Sequence, residues 1–357
     1  MKRVAVAMSG GVDSSVTAGL LKQQGYDVIG ITLRLWEEDP ACTIDNVHAC
    51  CSLSSVDDAK AVASVLGIPH YTLDFRDIFR RDVIDYFVDS YVHGKTPNPC
   101  IACNRYVKWE SLLKRSMEIG ADYIATGHYA RIEQLPNGRF AIRNSVTAKK
   151  DQTYALYNLT QYQLSHTLMP VGAYHKEEIR ELAIRNDLPV AHKPDSQDIC
   201  FVPDGDYAGF IEREVPGKVP GPGNFVTKDG TVLGQHKGIT HYTVGQRKGL
   251  GLAMGHQVFV SEIRPETDEV VIGEAEDVFR SELTCSHINY MSVESLPEPK
   301  RVWAKVRYAH QGELCTIEQT GEDKIHCRFE KPVRAITPGQ AVVFYDGEYI
   351  LGGGVID

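Results

Sequence analysis

The sequence predicts an α/β protein: a domain built on a parallel sheet, then a small linking domain, then a C-terminal β-barrel. Its 357 residues are enough for two or three domains. Strand and helix patterns alternate over the first half of the chain, a rhythm typical of a parallel sheet covered by helices on both faces. Short alternating runs follow, as in small β domains. We place the domains at residues 1–205, 206–276 and 277–357.

Each predicted element has its own local signal. Apolar runs predict strands over 4–8, 28–33, 70–73 and 123–126, and apolar residues at helical spacing predict helices over 12–24, 56–66, 78–91, 106–119, 161–168 and 176–186. A further helix over 207–214 leads to a segment rich in Pro and Gly, 216–223, which indicates a domain boundary. Beyond it, strands are predicted over 258–263, 269–272, 302–308, 315–319 and 341–345, and the last of them suit a barrel.

Composition and charge limit the class of protein. Hydrophobic residues make up 43% and charged residues 24%, which excludes a disordered chain, a collagen-like repeat and a small disulfide scaffold. The sequence has neither an apolar run long enough for a bilayer nor a signal-peptide core, so we expect a cytoplasmic protein. The net charge of −9 argues against generic nucleic-acid binding. Residues 99–150 nevertheless hold nine basic against four acidic side chains, which leaves a local basic face open.

The strongest motif follows the first predicted strand. It reads Ser9-Gly10-Gly11-Val12-Asp13-Ser14-Ser15 and opens the first helix. Glycines let the backbone approach a phosphate, and successive N–H groups at a helix N-terminus form an anion-binding nest. No lysine follows, so this is not the GxxxxGK[ST] loop, and the G-x-G-x-x-G pattern fails as well. We call residues 9–15 the phosphate loop; the alternative is a Gly-rich turn with a Ser cap.

Nine cysteines indicate a second kind of chemistry. Clustered thiols in a reducing compartment more often serve metal or redox chemistry than structural disulfides. Cys100 and Cys103 lie in a Pro-rich loop ahead of the helix predicted near residue 106. The N-terminal field of that helix is expected to favour the Cys103 thiolate, the form that sulfur transfer needs. Cys200 follows much later. The alternative for the Cys100/Cys103 pair is two inert loop thiols.

The remaining cysteines have simpler interpretations. Cys285, Cys315 and Cys327 lie singly in alternating apolar segments, so we predict buried small hydrophobic side chains. A four-cysteine zinc site is disfavoured because the chain has no second C-x-x-C motif. The adjacent Cys50 and Cys51 would bind one ion poorly, and we interpret them as structural.

The phosphate loop resembles that of the PP-loop ATP pyrophosphatases, a group with a Rossmann-like fold of the adenine nucleotide α-hydrolase type. With the cysteines, the whole chain resembles the tRNA-uridine 2-sulfurtransferases of the MnmA type, the 2-thiouridylases of the wobble uridine. The matching motifs are residues 8–15, Thr96-Pro97-Asn98 with Cys103-Asn104, Ala125-Thr126-Gly127-His128-Tyr129, Lys150-Asp151-Gln152, Cys200-Phe201, Gly245-Gln246-Arg247-Lys248-Gly249-Leu250-Gly251 and Thr337-Pro338-Gly339-Gln340.

This resemblance implies a role for each matching position. Cys200 would receive sulfur as a persulfide, and Cys103 would be its nucleophilic partner, able to form a transient disulfide with it. ATP, with Mg²⁺ near Asp13, would be surrounded by Ala7, Met8, Ser9, Gly10, Gly11, Val12, Asp13, Ser14, Leu33 and Gly127. The target base would lie at Asn98 and Pro99, beside Cys100. Other contacts to tRNA would come from His128, Lys150, Asp151, Gln152, Arg307, Tyr308 and Gln340.

Several of these residues also have ordinary interpretations. A lone histidine such as His128 is usually structural. The triplet from Lys150 to Gln152 could be a solvated turn. Arg307 and Tyr308, in a predicted strand, could offer a guanidinium and a ring to an unstacked base, or simply form a cross-strand pair.

One position departs from the family pattern. Many members carry Asp where this chain has Cys100, and that Asp is a candidate acid or base. Cys100, Cys103 and Cys200 could instead hold a [4Fe–4S] cluster by three corners. We favour the persulfide relay because Cys103 and Cys200 suffice for it.

The expected function is ATP-dependent 2-thiolation of the wobble uridine in tRNA. The uracil 2-oxygen would be adenylylated with release of pyrophosphate, and sulfur would then replace AMP. Implied partners are the lysine, glutamate and glutamine tRNAs and a cysteine desulfurase or sulfur-relay protein as donor. Two alternatives remain: an amide-forming PP-loop synthetase, and a tRNA-binding protein with a vestigial ATP loop.

Overall fold

A computed structural model describes residues 1–36, 53–195 and 199–357. Cys42, Cys50 and Cys51 lie outside these residues. The prediction that Cys50 and Cys51 are structural therefore also falls outside the described residues. The chain divides into two compact units. Unit 1 comprises Met1–Val83, Cys100–Gly205 and Glu348–Ile350, and unit 2 comprises Ile84–Pro99, Asp206–Gly347 and Leu351–Asp357. No helix in the described residues is long and apolar enough to cross a membrane.

Unit 1 is built on the predicted parallel sheet. The strands of this part of the chain are β1 (Arg3–Ala7), β2 (Asp27–Arg34), β3 (His70–Asp74), β4 (Tyr123–Ala125), β5 (Ala130–Gln134), β6 (Phe140–Asn144) and β7 (Thr167–Leu168). Five of them form one parallel sheet in the order β3-β2-β1-β4-β7. Strand order changes direction at β1, so the crevice between the carboxyl ends of β1 and β4 is where such a sheet places a ligand.

Helices connect these strands and continue into unit 2. They are α1 (Val12–Gln23), α2 (Leu53–Leu66), α3 (Arg76–Phe79), α4 (Asp85–Val92), α5 (Pro99–Ala102), α6 (Leu113–Glu118), α7 (Gln161–Ser165), α8 (Lys176–Arg185) and α9 (Tyr207–Glu214). Two π-helical stretches, Arg80–Ile84 and Cys103–Leu112, join α3 to α4 and α5 to α6.

The first strand and helix form the centre of the unit 1 core. Val4 and Val6 of β1 pack in one apolar cluster with Val12, Val16 and Leu20, which recur at helical spacing along α1. Each fully buried aliphatic side chain of this kind stabilises the fold by about 1.5–3 kcal/mol. The phosphate loop between β1 and α1 is therefore anchored at both ends by well-packed elements.

Unit 2 is mainly antiparallel β structure. Its strands are β8 (Asn224–Val226), β9 (Val232–Gln235), β10 (Phe259–Arg264), β11 (Glu269–Gly273), β12 (Phe279–Tyr290), β13 (Lys300–Lys305), β14 (Glu313–Gly321), β15 (Lys324–Arg334), β16 (Ala341–Asp346) and β17 (Tyr349–Ile356), the last beginning within unit 1. The first four form one sheet in the order β10-β11-β8-β9.

The predicted C-terminal barrel is confirmed. Strands β12 to β17 close on themselves, because β12 pairs with both β15 and β17. Cys285, Cys315 and Cys327 have no exposed surface and belong to the apolar cluster inside the barrel. The prediction that they are buried hydrophobic side chains is confirmed.

Two local predictions were wrong, and one hairpin was missed. The helix predicted over 161–168 ends at Ser165, and Thr167–Leu168 forms the edge strand β7. The antiparallel hairpin of β5 and β6 was not predicted, although apolar and polar side chains alternate along β5. Strand β13 ends at Lys305, so Arg307 and Tyr308 lie in the turn that follows it and not in the strand predicted over 302–308.

Candidate active site

The loops that follow β1 and β4 touch each other at the carboxyl edge of the parallel sheet. A Cβ atom placed on Gly127 would lie 2.7 Å from the Ser14 nitrogen and 2.8 Å from the Asp13 carbonyl carbon. Gly10 has a φ of +69°, a left-handed conformation, and a side chain there would collide with the backbone of Ser55. Both glycines are therefore required for the shape of the phosphate loop.

Serine side chains fix the loop from within. The Ser9 N–H donates to Ser14 Oγ at 3.2 Å, and the Ser15 hydroxyl donates to the Gly11 carbonyl at 2.8 Å. Met8 just before the loop is buried, and its N–H donates to the Ile31 carbonyl of β2 at 2.8 Å. Of the other predicted ATP residues, Val12 and Leu33 are buried and Ala7 is partly buried.

The Asp13 carboxylate is held by two residues from distant parts of the sequence. Tyr129, just after β4, donates its hydroxyl to Asp13 Oδ1 at 2.7 Å. Lys176, the first residue of α8, places its Nζ 2.7 Å from Asp13 Oδ1 and 2.9 Å from Oδ2. The Lys176 side chain is only 9% exposed. Burial, followed by the neighbouring Asp13 charge, raises the pKa of Tyr129, so this phenol is a stable donor at neutral pH.

A second carboxylate shares the same lysine. Asp195 Oδ1 lies 2.8 Å from Lys176 Nζ and 3.3 Å from an Arg180 nitrogen, and Oδ2 lies 2.8 Å from Lys150 Nζ. Burial alone would raise the pKa of Asp195, but hydrogen bonds from Lys150 and Lys176 together hold it below the ordinary value. Asp195 is thus a carboxylate at neutral pH.

A third pair completes what we call the ion cluster. Lys193 Nζ lies 2.6 Å from an Asp58 oxygen and 3.3 Å from the Gly10 carbonyl. The cluster consists of four cationic side chains (Lys150, Lys176, Arg180 and Lys193) and three carboxylates (Asp13, Asp58 and Asp195). It therefore carries one positive charge in excess beside the phosphate loop.

Sequence reasoning found Asp13 and Lys150 but missed the rest of the cluster. Lys176 and Arg180 read as the polar face of an amphipathic helix, and Asp195 has no motif of its own. Tyr129 lies within a matching family motif, which was a usable signal for its proximity to the loop.

The two cysteines predicted near a helix start lie differently from expectation. The helix begins at Pro99, a residue suited to the first helical position, and continues without a break through the π-helical stretch to Glu118. Cys100 therefore occupies the first turn, and Cys103 the second. Since the field of a helix terminus falls off within one turn, the argument from the helix dipole applies to Cys100 rather than to Cys103.

Neighbouring contacts fix the position of Cys103. The next residue, Asn104, is buried and donates its amide to the Ala155 carbonyl at 2.9 Å, while its Oδ1 accepts from Lys108 at 2.8 Å. Cys103 itself is partly exposed, and Cys100 is exposed. Ser111 donates its hydroxyl to the carbonyl of Tyr106, five residues earlier, at 2.8 Å, which suits the wider π-helical turn.

Cys200 lies on the same unit. The ring of Phe201, its neighbour in sequence, packs against the buried ring of Phe79 at 5.7 Å between centroids, and Phe79 packs against Trp36 just beyond β2. Cys100, Cys103 and Cys200 are thiols outside any disulfide. Within the described part of the chain, these thiols and the other His, Asp and Glu side chains form no group of three that could hold a metal ion. As they lie here, they do not fit a [4Fe–4S] cluster.

His128 is packed against protein. Its Nδ1 lies 2.8 Å from Thr126 Oγ1, and its ring lies 5.5 Å from the Trp109 ring. Burial, followed by the Lys108 charge, lowers the pKa of His128 well below its ordinary value. This histidine is therefore neutral at physiological pH.

The predicted tRNA triplet makes internal contacts. Asp151 accepts the backbone N–H groups of Ser145 and Thr153, and Gln152 Oε1 accepts the Tyr129 N–H at 2.9 Å. The segment is thus a structured turn joined to Tyr129, and its contact with tRNA stays a prediction.

Unit 2 carries the segment predicted to meet the target base. Asn98 is partly buried and Pro99 is buried. Gln340 donates its side-chain amide to the carbonyls of Thr96, at 2.9 Å, and Pro97, at 3.4 Å. The Thr96 N–H in turn donates to the Pro338 carbonyl at 2.9 Å.

A cavity of about 230 Å³ lies beside this segment within unit 2. Arg307 and Arg334 both line it, and Arg307 donates to the Arg334 carbonyl at 2.7 Å. Tyr308 is half exposed. The cavity therefore brings Gln340 and Arg307 together, whereas His128 and the triplet from Lys150 to Gln152 belong to unit 1.

Comparison with protein families gives three successive matches, which together cover most of the chain. Residues 2–204 match the "tRNA methyl transferase HUP domain", residues 208–274 the "tRNA methyl transferase PRC-barrel domain", and residues 280–356 the "Aminomethyltransferase beta-barrel domain". The first of these alone covers more than half of the chain.

Relatives match over the full length. A protein of Lachnoclostridium phytofermentans named tRNA-specific 2-thiouridylase MnmA is 61% identical over 356 residues, covering 100% of this chain and 99% of the relative. A Clostridium acetobutylicum protein of the same name is 55% identical, covering 99% of each chain. Among solved structures, a predicted subunit of tRNA methyltransferase from Methanocaldococcus jannaschii is 19% identical, with a TM-score of 0.33, covering 52% of this chain and 76% of that one.

Proposed function

Since the chain belongs to the family of tRNA-specific 2-thiouridylases of the MnmA type, we propose that it catalyses ATP-dependent 2-thiolation of the wobble uridine in tRNA. The observation that carries the proposal is that the phosphate loop, Cys103 and Cys200 belong to one compact unit. Activation of the base and transfer of sulfur both need these groups.

In the first step, ATP activates the uracil. Its phosphates would bind the backbone N–H groups of the phosphate loop, with Ala7, Leu33 and Gly127 beside the nucleotide. The uracil 2-oxygen attacks the α-phosphorus, the bond to the β-phosphate breaks, and pyrophosphate leaves. When bound, Mg²⁺ neutralises phosphate charge, and Asp13 is the carboxylate on the loop that could hold it.

In the second step, sulfur replaces the activated oxygen. Cys200 carries a persulfide, and its terminal sulfur attacks C2 of the uracil while AMP leaves with the former 2-oxygen. The Cys103 thiolate then attacks the Cys200 sulfur and releases 2-thiouridine. The products are a Cys103–Cys200 disulfide, which an external thiol reductant must reduce before the next cycle, and the thiolated tRNA.

The persulfide route needs only two thiols. Cys103 and Cys200 are both partly exposed, and neither is tied up in a disulfide. Among the described residues, the three cysteines form no metal-binding group as they lie here, so the proposed sulfur carrier is the Cys200 persulfide and not an iron–sulfur cluster. Cys100 then has no assigned chemical step and lies beside the target base in the proposal.

The tRNA substrate is the proposed partner of both units. Asn98 and Pro99 would meet the base, and Arg307, Tyr308 and Gln340 would contact the anticodon arm, as would His128 and the triplet from Lys150 to Gln152. The lysine, glutamate and glutamine tRNAs are the proposed acceptors, and a cysteine desulfurase or a sulfur-relay protein is the proposed donor. Both would meet the enzyme in the cytoplasm.

Pyrophosphate release tests the activation step against its rivals. With Mg-ATP and unmodified tRNA, the wild-type enzyme should release pyrophosphate only when the wobble position is uridine. An amide-forming synthetase would instead require ammonia or an amino acid, and Cys200→Ser would leave its turnover unchanged. A tRNA-binding protein without catalysis would bind the same tRNA and release no pyrophosphate.

A further inference from the structure

The phosphate loop has no cation of its own, although a triphosphate is strongly anionic. Phosphate-binding loops of the GxxxxGK[ST] type carry a lysine within the motif, and residues 9–15 have none. Backbone N–H groups bind a phosphate but bring no full charge. A cation from elsewhere in the fold is therefore expected at this loop.

Lys176 is the cation that the fold brings to the carboxylate of the loop; Lys193 also reaches the loop, at the Gly10 carbonyl. Lys176 lies 163 residues from Asp13 in the sequence, yet its Nζ contacts both Asp13 oxygens and Asp195 Oδ1, all within 2.9 Å. Its side chain is 9% exposed, and its ammonium lies 5.6 Å from the centre of the Tyr129 ring. A strongly hydrated ammonium is buried only when anions surround it.

If Lys176 moved from the two carboxylates to a phosphate, each carboxylate would keep another hydrogen-bond or ion-pair partner. Asp13 would keep the hydroxyl of Tyr129, and Asp195 would keep Lys150 and Arg180. The surplus positive charge of the ion cluster already favours an added anion. Lys176 is thus the one member of the cluster, among the described residues, that bridges the loop carboxylate to the other cations.

We propose that Lys176 is the pyrophosphate-binding lysine of this enzyme: when ATP binds, its ammonium exchanges the Asp13 carboxylate for oxygens of the β- and γ-phosphates. The exchange also releases Asp13, whose two oxygens are otherwise occupied by Lys176, to hold a divalent cation. This inference rests on the proposed use of ATP. It assigns Lys176 to the leaving group of the first step, and not to the adenosine or the α-phosphate.

Binding of two fragments of ATP to the full chain tests the assignment. AMP carries the adenosine and the α-phosphate, and Mg–pyrophosphate represents the leaving group. By calorimetry, Lys176→Met should weaken binding of Mg–pyrophosphate by about 10- to 100-fold, the usual size of one charged hydrogen-bonding contact. Binding of AMP should stay within about twofold, because no AMP group faces the lysine in this proposal.

Two further variants make the result interpretable. Arg185→Met, at the other end of α8, removes only an exposed ion pair with Glu181 and should bind both fragments as the wild type does. Lys176→Gln also removes the charge but keeps an amide that can donate to the carboxylates, and it replaces Lys176→Met if that variant does not fold. Retained AMP binding shows that the nucleotide site is intact.

The outcomes separate the role proposed for Lys176 from the proposed use of ATP. Equal loss of AMP and pyrophosphate binding in both lysine variants would show that Lys176 is a structural bridge and overturn the inference. Unchanged pyrophosphate binding would overturn it as well, while ATP use by the wild type stands. If the wild type binds neither fragment, the proposed use of ATP fails together with the inference.

Discussion

The side-chain amide of Gln340 is bonded to the backbone of Thr96, 244 residues earlier in the chain. Nε2 donates to the Thr96 carbonyl at 2.9 Å, and the Thr96 N–H donates to the Pro338 carbonyl at 2.9 Å. The turn before β16 thus holds the segment that leads to Asn98 and Pro99. We predicted that Gln340 contacts tRNA. In the structure, its amide donates hydrogen bonds to the backbone within unit 2, and the contact with tRNA stays a prediction.

Loss of this amide should loosen the segment. We expect Gln340→Met to remove about 1–2 kcal/mol of local stability, since one amide–carbonyl bond and a weaker second one are lost. Hydrogen exchange at the Thr96 and Asn98 amides should then be about 5- to 30-fold faster. Gln319→Met is the matched control, because Gln319 donates to two carbonyls of its own hairpin. Equal exchange in Gln340→Met and the wild type would show that the Gln340 amide does not stabilise this segment.

Gly127 should tolerate no side chain. In Gly127→Ala, the new Cβ would lie 2.7 Å from the Ser14 nitrogen, so the backbone of the phosphate loop must shift. Such overpacking typically costs about 1–3 kcal/mol, and ATP affinity should fall by about tenfold or more. Gly221→Ala, where no atom lies within 4 Å of the added carbon, should bind ATP normally. Undiminished ATP affinity in Gly127→Ala would refute this reading of the contact between the loops.

Stability should depend on pH through His128. Burial, followed by the Lys108 charge, lowers the pKa of His128 in the folded chain well below 6.5. Between pH 6.5 and that lower pKa, the unfolded state therefore binds more protons than the folded state does. The free energy of unfolding should therefore fall as pH drops below about 6.5, by up to about 1.4 kcal/mol per pH unit from this group.

Urea unfolding between pH 7.5 and 5.5 measures how the free energy of unfolding depends on pH. His128→Asn should flatten the acid side of the stability curve. His287→Asn, at an exposed position with a φ of 55° that asparagine accepts, is the matched control. Parallel curves for His128→Asn and the wild type would show that His128 contributes nothing to the pH dependence.

Cysteine reactivity should separate the two groups of thiols. Cys100 is exposed, whereas Cys285, Cys315 and Cys327 have no exposed surface, and burial raises the pKa of Cys285. In the native protein at pH 7.5, iodoacetamide should modify Cys100 and leave the three barrel cysteines unmodified until urea is added. Peptide mass spectrometry reads each site separately. Native modification of Cys315 at the rate of Cys100 would contradict the closed barrel.

Elements with a strong local pattern could be predicted from the sequence. Helix α1 was expected over 12–24 and spans Val12–Gln23, because its apolar residues recur at helical spacing and Gly11 precedes it. The start of the Cys103 helix was missed by seven residues, since Pro99 reads equally well as a loop residue and as the first residue of a helix. The two residues Thr167–Leu168 form a strand because they pair with β4, and the local sequence contains no pattern that predicts this pairing.

The sequence motifs that carry the chemistry could be recognised, but the distant residues that contact them could not be predicted. Asp13 stands in a recognisable loop, whereas Lys176 contacts Asp13, and Asp195 contacts Lys176, only once α8 has packed against α1. Single charged residues far apart in sequence leave no spacing signal, so such a cluster emerges from tertiary structure alone. The roles assigned to Cys103 and Cys200 stay predictions that chemistry must test.

Nucleoside mass spectrometry of treated tRNA is the most direct test of the central claim. Unmodified tRNA is incubated with enzyme, Mg-ATP, a cysteine desulfurase, cysteine and a thiol reductant, with a parallel sample lacking ATP. We expect 2-thiouridine at the wobble position only when ATP is present, and none from Cys103→Ser or Cys200→Ser, both of which should still bind tRNA. Normal turnover by either variant would contradict the cysteine assignment. No 2-thiouridine from the wild type, even with added sulfide, would contradict the proposed function itself.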